Sequence, residues 1–190
     1  MRGYNNKYII ETQSRVFRYT NDTCQDIASI YNYLHDNIEC TYLIYMYENL
    51  ALNEKYVYSS NWNWQNLLIG EKLINYCPIF KIAFNCLEKR NQRTVFVPWC
   101  DAPPGNPRER DVCGIRSEHN IANGFGYGAK GFGIRESLAF GGGANDKYFY
   151  QHFTRNKILF NRVLNSARNA ILLRNHIEKK LIFKDVEALQ

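Results

Sequence analysis

Residues 124–131 read GFGYGAKG, with glycine at 124, 126 and 128 and Phe125 and Tyr127 between. Successive side chains of a strand point to opposite faces. One face of this segment therefore carries aromatic rings and the other carries almost nothing. A fold that contains such a strand must press something close against the bare face, either a helix or a flat ligand. Lys130-Gly131 reads as a turn, and GIRESLAF (133–140) reads as the strand that pairs back. The run GYGAKG (126–131) also matches GxGxxG. A dinucleotide site needs those glycines between a strand and a helix N-terminus, where backbone N–H groups meet the pyrophosphate. Here a second strand follows, so the motif lacks the context that would give it that meaning.

The rest of the chain interleaves helices with short strands. Ile27, Ile30, Tyr31 and Leu34 repeat at helical spacing over 24–36, behind Thr23 as a candidate cap. TYLIYMY (41–47) and KYVYSS (55–60), joined by a polar turn, read as an antiparallel hairpin. NWNWQNLLIGEKLINY (61–76) reads as a helix that breaks near Gly70, and Pro78 suits the first turn of the next helix. TVFVPWC (94–100) is a strand closed by Pro98. Asn106-Pro107 is a cap and first-turn pair for a helix reaching about Ile121. Residues 146 to about 180 carry the longest helical pattern, with Leu159, Val163, Ala167 and Ile171 as its apolar stripe. About five short strands joined in part by tight turns predict an α/β (α+β) fold, an antiparallel sheet covered by helices. With 190 residues and no linker or repeat, residues 1–190 form a single domain.

Charge and cysteine usage narrow the function classes. Six cysteines contain no CxxC pair and fit no zinc spacing, so they read as free thiols of a reducing compartment, with no structural metal and no cofactor. No apolar run is long enough to span a bilayer, and the first residues hold no signal-type apolar core. A cytoplasmic protein with no membrane partner is expected. Of the net charge of +6, residues 151–190 contribute most, with eight Lys or Arg against three acidic residues. Arg155, Arg162, Arg168 and Arg174 are expected on the exposed side of the last helix, where they support only non-specific, salt-sensitive nucleic-acid binding. No nucleophile constellation is present: Ser137 lacks the G-x-S-x-G elbow, and nothing in the sequence pairs a cysteine with His119. The chain is not expected to be an enzyme.

Trp64, Pro78, Trp99 and Gly124 form a spaced series. In its order of elements and in this series, the chain over about residues 20–175 resembles the ligand-binding domain of LuxR-type quorum-sensing regulators. That family shows W-x3-Y, then Asp-Pro, then a Trp, then a Gly at a strand start. Here Leu68 stands in place of the Tyr and Cys77-Pro78 in place of Asp-Pro, and Ile121-Ala122-Asn123-Gly124 leads into the last two strands.

The resemblance implies an α-β-α sandwich that holds a small acylated signal between a five-stranded antiparallel sheet and one helical layer. The ligand-binding residues it points to are Trp64, Leu68, Cys77 and Trp99, with Tyr58 from the first hairpin and Ser137 from the last strand. In the family, Trp, Tyr and Asp surround the polar head of an acyl-homoserine lactone. Trp64 keeps an indole N–H for a ring carbonyl, but Leu68 has no hydroxyl and Cys77 no carboxylate for an amide N–H. A buried amide left unpaired costs about 1–3 kcal/mol, one to two decades of affinity. Weak binding of simple acyl-homoserine lactones is therefore expected. The family also pairs into homodimers and carries a helix-turn-helix output module, for which residues 1–190 leave no room. A LuxR-type sensing domain, either an excised sensor half or a natural solo domain, is the first reading. A protein-interaction domain that has kept the fold and lost the ligand is the alternative.

Overall fold

Tyr42 and Ile44 alternate along one strand with Leu43, Tyr45 and Tyr47, and the two sets pack into different cores. That strand lies near the centre of the computed structural model, which describes residues 15–18, 21–52 and 54–175. In chain order the elements are β1 (Arg15–Arg18), α1 (Asn21–Ile38), β2 (Cys40–Asn49), β3 (Glu54–Ser59) and α2 (Trp62–Gly70). A 3-10 turn (Leu73–Tyr76) leads to α3 (Pro78–Phe84), which runs on into a π turn (Asn85–Lys89). Then come β4 (Thr94–Pro98), a 3-10 turn (Trp99–Asp101), α4 (Pro107–Glu118), β5 (Asn123–Gly131), β6 (Ile134–Gly142), α5 (Gln151–Thr154) and α6 (Lys157–Asn175).

The sheet order is β1-β3-β2-β6-β5-β4. The five strands from β3 to β4 are antiparallel throughout, as the sequence predicts. The sixth, β1, adds a parallel partner to β3 at the edge, Arg15 opposite Glu54. Four residues with a charge at each end give the strand no alternation long enough to read from sequence.

Helices α1 and α6 cover one face. There Ile27, Leu34, Leu43, Tyr45, Tyr47, Leu138, Phe140, Phe153, Phe160, Val163, Ala167 and Ile171 form the larger core. Phe125 and Tyr127, the aromatic side of the glycine strand, belong to it, and the rings of Phe140 and Phe153 stack at 4.0 Å. Helices α2, α3 and α4 supply the other face. The layering is therefore α-β-α. No described helix is long and apolar enough to cross a membrane.

The caps behave as their residues dictate. Asn106 Oδ1 accepts from the Glu109 N–H at 3.0 Å with Pro107 in the first turn, and Glu109 Oε2 accepts from the Gly105 N–H at 2.7 Å. Four expectations need correction. The β5–β6 turn is Phe132-Gly133 rather than Lys130-Gly131, a two-residue turn with positive φ at both positions, 50° and 77°, as the type I′ hairpin requires. The helix expected from 146 is split into α5 and α6, since Asn156 Oδ1 accepts from the Leu159 N–H at 3.0 Å and restarts the helix. Residues 176–180 of that expectation lie outside the described residues. Arg168 is not on the exposed side of α6 but is 5% exposed, held by Glu136. Arg155 and Arg162 are exposed, and the Arg174 side chain lies outside the description. Helix α1 begins at Asn21, which puts Thr23 inside the helix rather than at its cap.

Candidate functional site

Trp64, Leu68, Cys77 and Trp99 converge in one buried group on the α2–α3–α4 side of the sheet, together with Tyr42, Val112 and Ile121. Local chemistry sets each one. Asn61 caps α2 by accepting from the Trp64 N–H at 2.9 Å, which fixes where the helix starts and brings Trp64 and Leu68, four residues apart, to one face. Cys77 is the extended residue before Pro78, a position where helical backbone is disfavoured, so the thiol sits at the start of α3. Pro98 ends β4 and the next turn carries Trp99 inward.

The Trp99 ring is what lies against the bare face of the glycine strand. A β-carbon built at Gly124 would stand 2.6 Å from the Trp99 ring and 2.3 Å from the Phe140 carbonyl oxygen. One built at Gly128 would stand 2.9 Å from Leu87, and one at Gly141 would stand 2.8 Å from Ile121 and 3.3 Å from Trp99. The flat object that the sequence demands is thus supplied from within the chain. The GxGxxG run lies wholly within β5, with no helix after it.

Deeper along the same face the cover is thinner. Ile44 and Met46 of β2 lie opposite Ala139 and Ser137 of β6, and all four are only half-buried. On the other face of the same two strands Leu43, Tyr45, Leu138 and Phe140 are at most 1% exposed. Central strands are the most protected part of a sheet when both helical layers close over them. Here the middle of the sheet is less completely covered on this face than on the other.

Ser137 therefore lies on the site face, next to Met46 and two residues from Ala139. Tyr58 does not. It pairs with Tyr45 and is buried in the α1–α6 core, on the opposite side of the sheet. Alternation along YVYS leaves two choices of face, and only the register with β2 decides between them.

Sequence reading missed Tyr42, Gln65 and Arg116. Tyr42 Oη donates to Gln65 Oε1 at 3.2 Å, both residues being buried. Arg116, in the last turn of α4, is 8% exposed, and its guanidinium carbon stands 4.5 Å over the Trp99 ring. Its Nε donates to the Ile121 carbonyl at 3.0 Å and its Nη2 to the Ala122 carbonyl at 3.3 Å, which ties down the loop before β5. Its Nη1 and the Trp99 Nε1 are buried without a hydrogen-bond partner. Burial pulls the Arg116 pKa below its ordinary value and pushes the Cys77 thiol and the Tyr42 phenol up. Cys77 and Tyr42 are therefore neutral beside a cation. The only sequence sign of Arg116 is its place four residues after the apolar Val112. Among the described residues, no group of three His, Cys, Asp or Glu side chains is placed to hold a metal ion.

No family model and no curated protein matches the sequence. Among solved structures, the chain is similar to the N-acylhomoserine lactone dependent LuxR family transcription factor CepR2 from Burkholderia cenocepacia. The identity is 11% and the TM-score 0.49, over 82% of this chain and 98% of that one. It is also similar to SdiA from Escherichia coli, with 10% identity and a TM-score of 0.46, over 83% of this chain and 64% of that one.

Proposed function

We propose that this chain is a small-molecule sensing domain that takes an acylated ligand between β2–β6 and the α2–α3–α4 layer. The observation that carries the reading is the unequal burial of the central strands. Ile44 and Ala139 pack half-buried against the group that holds Trp64 and Trp99, and Met46 and Ser137 continue the same face half-buried, whereas the residues behind them are sealed. An apolar recess with a few convergent polar groups is what a small-molecule site requires. The head end is formed by Trp64, Trp99, Cys77 and Tyr42, and the acyl end by Ile44, Met46 and Ala139. Leu68 and Cys77 bring no hydroxyl or carboxylate to an amide, so simple acyl-homoserine lactones bind weakly.

Calorimetric titration with a panel of N-decanoyl compounds tests this. Saturable binding that is lost in Ala139→Phe, a variant that fills the recess from the strand side, is the expected result. Absence of binding by every acylated compound would remove the sensing role. In its place would stand the protein-interaction reading, which draws support from the way Trp99, Leu87 and Ile121 already occupy the glycine face.

A further inference from the structure

Two buried arginines in this chain are treated differently. Arg168 meets Glu136 at two points, 2.6 Å from Nη2 to Oε2 and 2.9 Å from Nε to Oε1. Arg116 is almost as deeply buried, and among the described residues no carboxylate comes within ion-pair distance of it. Taking a guanidinium out of water is costly unless its charge is matched. Two backbone carbonyls, the face of Trp99 and the C-terminal end of α4 offset part of that cost. The side chains whose charge would count at Arg116 are Cys77, Cys113 and Tyr42. The first and last of these are held neutral by burial, so one positive charge is left without a counter-charge inside the candidate site.

The atoms left over are both donors. Arg116 Nη1 and Trp99 Nε1 are N–H donors without an acceptor, on side chains at least nine-tenths buried and stacked on one another. Two donors on adjacent groups, one of them charged, match the two oxygens of a carboxylate. A neutral lactone or amide would satisfy the hydrogen bonds but leave the charge. The neighbouring acids do not reach this position. Glu71 and Asp101 are exposed, and Glu109 is engaged by Lys81 and the Gly105 N–H.

We infer that the ligand of this site carries a free carboxylate, received by Arg116 Nη1 and Trp99 Nε1, with its acyl chain directed toward Ile44 and Ala139. This rests on the sensing reading above and deepens it by naming the head group. The test compares N-decanoylglycine, its primary amide and N-decanoyl-homoserine lactone on the wild-type chain by calorimetry. The free acid is expected to bind at least about tenfold more tightly than either neutral compound, as a charge-assisted hydrogen bond warrants. The indole N–H resonance assigned to Trp99 by a Trp99→Phe variant should move with the acid and stay still with the amide. Arg116→Gln should abolish the preference, and Arg116→Lys should retain part of it. If Arg116→Gln fails to fold, the acid-against-amide comparison on the wild type decides alone. Equal affinity for all three compounds would overturn the carboxylate assignment and leave the recess standing. Binding of none would overturn both.

Discussion

Arg168 of α6 and Glu136 of β6 form a two-point ion pair buried between helix and sheet, and Tyr45 Oη donates to the same carboxylate at 2.5 Å. The pair joins the C-terminal helix to the central strands at a depth where water cannot screen it. Burial and the Glu136 carboxylate act in opposite directions on Arg168, and the carboxylate prevails, so its pKa lies above the ordinary value.

Removing one partner leaves a buried charge unmatched. Glu136→Gln should therefore destabilise the fold by about 3–5 kcal/mol, read by urea denaturation with an unchanged slope. The double variant Glu136→Leu with Arg168→Met should be less destabilised than Glu136→Gln alone. A single variant as stable as wild type would mean that the pair contributes nothing to holding α6 on the sheet.

The glycine strand makes a contrasting pair of predictions. Gly124→Ala places a methyl group 2.3 Å from backbone and 2.6 Å from the Trp99 ring. Neither neighbour can yield, so a loss of about 1–3 kcal/mol or more is expected. Gly70 ends α2 with nothing within 4 Å of a built β-carbon, so Gly70→Ala should gain about 0.5 kcal/mol through helix propensity. Chemical denaturation of the two variants beside wild type measures both. Equal effects would show that the close approach at Gly124 is not real.

Acid sensitivity follows from Glu109. Burial works to raise its pKa, but the hydrogen bond from Lys81, the Gly105 N–H and the Lys81 charge together outweigh it, and the folded value lies below the ordinary 4.5. A carboxylate whose pKa is depressed by folding adds stability that is fully present above its unfolded pKa. That stability is lost as pH falls through 4.5 toward the folded value. Glu109→Gln should flatten the fall in melting temperature below about pH 4.5 while lowering the plateau above it. Thermal unfolding followed by circular dichroism across that range checks the sign. An unchanged acid limb would place the sensitive group elsewhere.

Several parts of this molecule are decided over a few residues and were legible for that reason. Asn106-Pro107 suits a helix start, since a side-chain oxygen and a fixed φ act within one turn. The alternation of TYLIYMY requires a strand with two unlike faces. GFGYG requires one face crowded with rings and one that something must approach closely. The stripe Leu159, Val163, Ala167 and Ile171 turned inward as its period demands, with Leu159 half-buried at its end. Even the burial of Arg168 was present in the spacing, because Leu164, Arg168 and Ile171 share a helical face. A long charged side chain reads as solvated until its counter-charge is known.

What the tertiary structure decided is everything that depends on a partner far along the chain. Tyr58 turned away from Trp64 because its register with Tyr45, thirteen residues earlier, assigns its face, and alternation alone is symmetric under a one-residue slip. Arg168 found Glu136 thirty-two residues away, on another element. Arg116 lies over Trp99 because the fold brings α4 against the turn that follows β4. Local propensity acts over a turn or a strand and can be read in order. Charge pairing and the choice of sheet face act through space, and the linear chain holds them only as possibilities.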